Sequence, residues 1–217
     1  MTSPTEPASR RERALLADLF DEVGPDAPTL CGDWTTRDLA AHIIMRERRP
    51  DGAAGVMVPS LSGYSGKVQA SIADAEWDEL VGKVRSGPQV WSPARLNSVD
   101  RAINTIEFFV HLEDVRRASD EWDARDLDPD LRDDLRTALG RMGKLMTRGL
   151  DVGLVVEASD TSDTGPIRVR KGEPTVTIAG PIGEIVLFMY GRKEQADVEL
   201  SGDEDAVDTV LGAEFGI

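Results

Sequence analysis

Apolar residues recur at spacings of three and four along the first two thirds of the chain, the signature of helices that bury one stripe. Leu15, Leu16, Leu19, Phe20 and Val23 predict a helix over 10–23, stopped by Gly24-Pro25. Thr35-Thr36-Arg37-Asp38 predicts the start of a second helix, a hydroxyl cap with an acid three positions on, running to about Arg49 before Pro50 and Gly52. Residues 51–73, rich in Gly, Ala and Ser, read as loop with one helical turn around 67–72. Trp77, Leu80, Val81 and Val84 place a short helix over 75–85, closed by Gly87-Pro88. The longest periodic segment, 97–118, carries Ile103, Ile106, Phe109, Val110 and Val115 with no Gly or Pro inside. Leu131, Leu135, Leu139 and Met142 predict a further helix over 130–147, with acids in its first turn.

After Gly149 the period falls to two. Val152 to Glu157, Ile167 to Arg170 and Thr175 to Ile178 read as strands, Ile182 to Tyr190 as an apolar helix, Asp197 to Leu200 as a strand and Glu204 to Leu211 as a last helix. The expected class is therefore α+β: a helical bundle over 1–150 followed by a small α/β domain over 151–217.

Charge narrows the partners. The 217 residues carry 25 Lys and Arg against 40 Asp and Glu, a formal net charge of -15, and the acidic excess concentrates after Asp151. Such a surface repels phosphate backbones and anionic lipid, which argues against nucleic acid and membrane surfaces as partners. No apolar run approaches the roughly 18–20 residues of a spanning helix. Met1 to Arg13 is polar, with Pro4 and Pro7, and reads as a short frayed leader without a secretory apolar core. A single cysteine, Cys31, cannot form an internal disulfide, in keeping with a reducing compartment, so a cytoplasmic protein is expected.

Only two histidines are present, and both fall inside predicted helices. Glu107 and His111 stand at i and i+4, on one face one turn apart, and can point at a common centre. His42, flanked by Leu39 and Ile43, offers a third donor from another helix. Two imidazoles and a carboxylate suit a divalent transition metal, zinc first, and three protein ligands leave a coordination position open. The alternative is a satisfied core histidine beside an ordinary helix-surface pair. Against it stands Glu107 between Ile106 and Phe108-Phe109, since a carboxylate in apolar surroundings costs several kcal/mol unless paired.

The segment Leu30-Cys31-Gly32-Asp33-Trp34-Thr35-Thr36-Arg37-Asp38-Leu39-Ala40-Ala41-His42 resembles the GWT-x-RD-x-x-AH segment of the mycothiol-dependent maleylpyruvate isomerase family, within the DinB-like metal-binding four-helix superfamily. Glu107 to Asp114 is similar to that family's E-x-x-x-H-x-x-D helix, and Gly183 to Arg192 to the sterol-carrier-protein-like C-terminal domain of the same enzymes. Within the family, the chain resembles an actinobacterial branch described as metal-binding proteins. The resemblance implies a DinB-like four-helix bundle with His42, Glu107 and His111 as metal ligands. It gives Asp114 as an acceptor that orients an imidazole, where the bland reading is a helix-surface acid. Arg192 would hold a substrate carboxylate, or else cap its helix. Asp33 departs from the pattern, standing between Gly32 and Trp34 where the family has them adjacent.

The implied chemistry is a metal that stabilises the thiolate of mycothiol for attack on an electrophilic substrate, either isomerisation by addition and elimination or thiol S-transfer. The partners would be a small-molecule thiol and its electrophile, the assembly a monomer or homodimer. Two rivals remain: a non-catalytic metal-binding or stress-response module, and a metal-dependent hydrolase. Cys31 reads as a small apolar residue packing under Trp34, with a fourth ligand or a redox-sensitive thiol as alternatives. Trp34 alone neighbours the expected site; Trp77, Trp91 and Trp122 read as core or interface anchors. Arg46 to Arg49 and Arg116-Arg117 read as solvated helix ends. The loop over 51–73 is a candidate cover for the metal cleft.

Overall fold

The computed structural model describes residues 6–49, 51, 62–88, 97–119, 121–163 and 165–215. The chain divides into two compact units, Met1–Asp123 and Ala124–Ile217.

The first unit contains α1 (Ala8–Val23), α2 (Thr36–Arg48), α3 (Ser62–Ala73), α4 (Trp77–Ser86) and α5 (Asn97–Arg116). The stripes predicted from spacing meet in one core: Leu16 and Phe20 of α1, Leu39 and Ile43 of α2, Leu80 and Val84 of α4, and Phe108 and Leu112 of α5. α1 runs along α5, and α2 packs against α3 and α4. The start of α2 is held as expected, with the Thr35 amide and hydroxyl donating to Asp38 Oδ2 at 3.0 and 2.9 Å.

Two expectations are corrected here. Residues 8–13 are not a frayed leader: Ser9, Glu12 and Arg13 are buried. Arg13 pairs with Glu47 at 2.5 Å and lies 4.4 Å over the Phe108 ring, contacts that offset the cost of burying its charge. Residues 1–5 lie outside the described part. The second correction is α3, a helix where Gly63 and Gly66 suggested loop. A Cβ at either glycine would meet nothing within 4 Å, so they face open space and cost only helix propensity. Packing outweighs that cost: Val68 is buried, Gln69 Nε2 donates to the Asp38 carbonyl, and Arg37 Nη1 bridges the carbonyls of Ala73 and Ala75. The part of the suggested cleft cover over 52–61, and Trp91, lie outside the described residues.

The second unit opens with α6 (Pro129–Met146), a helix expected within the bundle over 1–150. Then come β1 (Gly153–Ala158), β2 (Ile167–Arg170), β3 (Thr175–Gly180), α7 (Ile182–Met189), a 3-10 turn (Lys193–Gln195), β4 (Glu199–Ser201) and α8 (Glu204–Gly212). The sheet order is β2-β1-β3-β4, with β1 and β3 parallel and both edge strands antiparallel to their neighbours. Leu154 and Val156 of β1 and Val176 and Ile178 of β3 are buried, the alternation of a sheet with one covered face. α7 is buried along its whole length, and α6 packs on α7 and β2. Gly143 permits the close approach: a Cβ there would stand 2.5 Å from Val169 Cγ1. Helices and a mixed sheet together make an α+β protein. Among the described residues no helix is long and apolar enough to cross a membrane.

Candidate metal centre

The loop before α2 prepares one side of the site. Thr29 Oγ1 donates to the Trp34 carbonyl at 2.8 Å and accepts from the Cys31 amide at 3.1 Å. Gly32 takes φ +65°, a left-handed turn that glycine adopts without strain. The Leu30 amide donates to the Asp114 carbonyl at 3.0 Å, pinning the loop to α5. Asp33 is accommodated within this turn and is exposed.

Three predicted residues meet here. Glu107 Oε1 lies 3.3 Å from His111 Nε2 and 3.8 Å from His42 Nε2, and the three donor atoms all fall within 4.8 Å of one another. Around a tetrahedral zinc with bonds of about 2.0–2.1 Å, donor atoms stand about 3.4 Å apart. The two edges to Glu107 lie near that value, so these three side chains could hold a small divalent ion. The imidazole rings turn toward each other, centroids 5.6 Å apart at 77°, and Trp34 stands 5.1 Å from the His42 ring.

On its other edge His111 faces Asp114, Nδ1 to Oδ2 at 3.0 Å, and Asp114 is fully buried. Cys31 Sγ donates to the same Oδ2 at 3.0 Å and lies 4.0 Å from His111 Nδ1. Cys31 and Trp34 both pack against the core, and Cys31 also belongs to this polar cluster. Arg46, read as a solvated helix end, is drawn inward instead. Its Nε is 3.3 Å from Glu107 Oε1, its Nη2 donates to Asn104 Oδ1 at 3.1 Å, and its side chain is 18% exposed. Arg46 follows His42 by four residues, so the rule that paired Glu107 with His111 places it on the same helical face. Arg117 is likewise buried, bound to Glu113 at 2.7 Å and 4.2 Å over the Trp122 ring; a buried carboxylate recruits it away from water.

These neighbours set the charges. Burial works to raise the Glu107 carboxyl, but hydrogen bonds from His111 and His42 and the charge of Arg46 hold it well below the usual carboxylate range. Burial likewise opposes charge on His111, yet Asp114, Cys31 and Glu107 together carry its pKa well above 6.5. Burial lowers His42, helped by the nearby His111 charge and only partly offset by Glu107. The same carboxylate thus faces two imidazoles whose surroundings push them in opposite directions, His111 toward its charged form and His42 toward its neutral form.

No family model matches the sequence, and no curated protein matches it. Solved structures do. The structure is similar to that of the mycothiol-dependent maleylpyruvate isomerase, with TM-score 0.59 and 17% identity over 89% of this chain and 90% of that one. A single histidine-to-alanine mutant of the same enzyme gives TM-score 0.58 and 16% identity at the same coverage. The likeness is one of fold. It extends along nearly the whole length of both chains.

Arg192 belongs to the second unit, past the end of α7. Its Nη1 donates to the Tyr190 carbonyl at 2.5 Å and its amide to the Leu187 carbonyl at 2.9 Å, which are helix-terminating contacts.

Proposed function

We propose that the first unit binds a divalent transition metal, zinc first, through His42, Glu107 and His111, and that the protein is a thiol-dependent enzyme. The observation that supports this best is the convergence of two imidazole nitrogens and one carboxylate oxygen from α2 and α5, with edges of 3.3 and 3.8 Å. When bound, such an ion would supply Lewis acidity and favour thiolate over thiol in its open position.

The residues divide the remaining work. Burial pushes His42 toward its neutral form, the form that coordinates a metal. His111 releases its Nε2 proton to do so, and Asp114 holds the proton on Nδ1 and with it the ring's orientation. Arg46 offsets the negative charge of Glu107, so an ion held there would keep more of its positive charge for an anionic ligand such as a thiolate. A small-molecule thiol, mycothiol by the likeness, and an electrophile are the proposed partners, with isomerisation or S-transfer as the reaction. Arg192 enters this reading as a holder of substrate carboxylate, besides its contact with Tyr190.

Metal analysis of the purified protein followed by thiol titration, with and without metal, tests the proposal. A thiol that binds only to the metallated protein is the expected result. Ester hydrolysis without thiol would replace the proposal with a hydrolase, and metallated protein indifferent to thiols and esters alike would leave a binding module.

A further inference from the structure

The two nitrogens of His111 face different groups. Nε2 points to Glu107, and Nδ1 to Asp114 and Cys31. An ion held at Nε2 lies beyond the far edge of the ring from Cys31 Sγ, which removes Cys31 as a fourth ligand of that ion. Its contact is with Asp114: Oδ2 accepts from the thiol and from Nδ1–H, each at 3.0 Å.

We propose that Cys31 is a positioning residue for His111. Through the shared Asp114 oxygen its thiol fixes the rotation and tautomer of the ring, and so sets how tightly the His42, Glu107 and His111 group holds a divalent ion. The effect on metal rests on the reading given under Proposed function; the effect on the ring does not.

Three features carry the inference. Asp114 is fully buried, so a donor removed from Oδ2 is not readily replaced by bulk water. The thiol is placed by backbone bonds, the Cys31 amide on Thr29 Oγ1 and the Leu30 amide on the Asp114 carbonyl, so loop and carboxylate move together. A carboxylate oxygen that holds two donors has less freedom to rotate than one that holds a single donor, and partners behind a ligating histidine commonly govern metal affinity by 10–100-fold.

The test compares wild type, Cys31→Ala and Cys31→Ser, with His111→Ala as the control for the metal site. With only two histidines in the chain, the ring signals are readily assigned by nitrogen-15 NMR of the zinc-free protein. Cys31→Ala is expected to shift the His111 ring nitrogens and speed exchange of the Nδ1 proton by about tenfold, and Cys31→Ser, which keeps a donor, to restore both to within about threefold. Zinc affinity by chelator competition should fall about tenfold in the alanine variant and recover in the serine variant. Unchanged His111 signals in Cys31→Ala overturn the proposal whatever zinc does, and equal effects of Ala and Ser overturn it in favour of packing. A sulfur-to-cobalt charge-transfer band in the cobalt-loaded protein, lost in Cys31→Ala, overturns it in favour of direct ligation. Wild type that takes up no zinc while its ring signals still respond to Cys31→Ala overturns the metal reading and leaves the positioning role supported.

Discussion

Replacing Glu107 with Gln keeps the shape of the side chain and removes its charge, and its consequences differ with and without metal. In the metal-free protein Oε1 faces His111 and Arg46 at 3.3 Å each and His42 at 3.8 Å. Breaking a fully buried ion pair costs about 3–5 kcal/mol, and an exposed pair contributes about 0–1 kcal/mol. Glu107 is 26% exposed, and the amide oxygen still accepts, so the expected loss is about 1–2 kcal/mol. That corresponds to roughly 3–6 °C in Tm. Zinc at about a hundredfold excess over Kd should stabilise the wild type by about 2.7 kcal/mol, an upward shift of roughly 8 °C. The Gln variant lacks the anionic ligand and should show less than about a third of that shift. Calorimetry of both proteins with and without zinc measures the four midpoints. Equal zinc-induced shifts in the two would refute the assignment of Glu107 as a ligand.

The raised pKa of His111 predicts a pH dependence for the metal-free protein. Its stabilising contribution is complete below 6.5 and is lost as pH rises through the elevated folded value, so urea midpoints should decline over that range and Asp114→Asn should flatten the decline. Gly143→Ala puts a Cβ 2.5 Å from Val169 Cγ1 and should destabilise the second unit by about 1–3 kcal/mol, seen by chemical denaturation, with zinc uptake unchanged. Glu113→Gln removes the buried carboxylate bound to Arg117, itself 1% exposed; a loss of about 3–5 kcal/mol is expected, and a change below about 1 kcal/mol in a urea titration would contradict the burial argument.

How far the sequence foretold this molecule depended on whether the decisive interaction was local. The strands after Gly149, the cap at Thr35 and Asp38, and the row of Ile106, Val110 and neighbours express period and turn chemistry, and each lies within a few residues of its expected place. α3 was hidden because two exposed glycines look like breakers until Val68 is seen buried. The three donors around Glu107 were legible because Glu107 and His111 share one helix and the only other histidine sits on a buried face. Arg46 and Cys31 were not. Each is drawn in by a carboxylate of α5, Glu107 or Asp114; the i, i+4 step from His42 gives the face Arg46 shares, but which carboxylate either residue meets depends on tertiary packing. The partner of α6 was hidden for the same reason, since a stripe of Leu131, Leu135 and Leu139 would suit a bundle or a sheet equally well.

The seam after Asp123 decides where the chain can be cut for work on its halves. A fragment ending near residue 150 would keep α6 but lose β2 and α7, uncovering the part of that helix's leucine row that they bury and inviting self-association. Dividing the polypeptide at residue 123 instead keeps the His42, Glu107 and His111 cluster with the described helices that build its core, and leaves α6 with the sheet it covers.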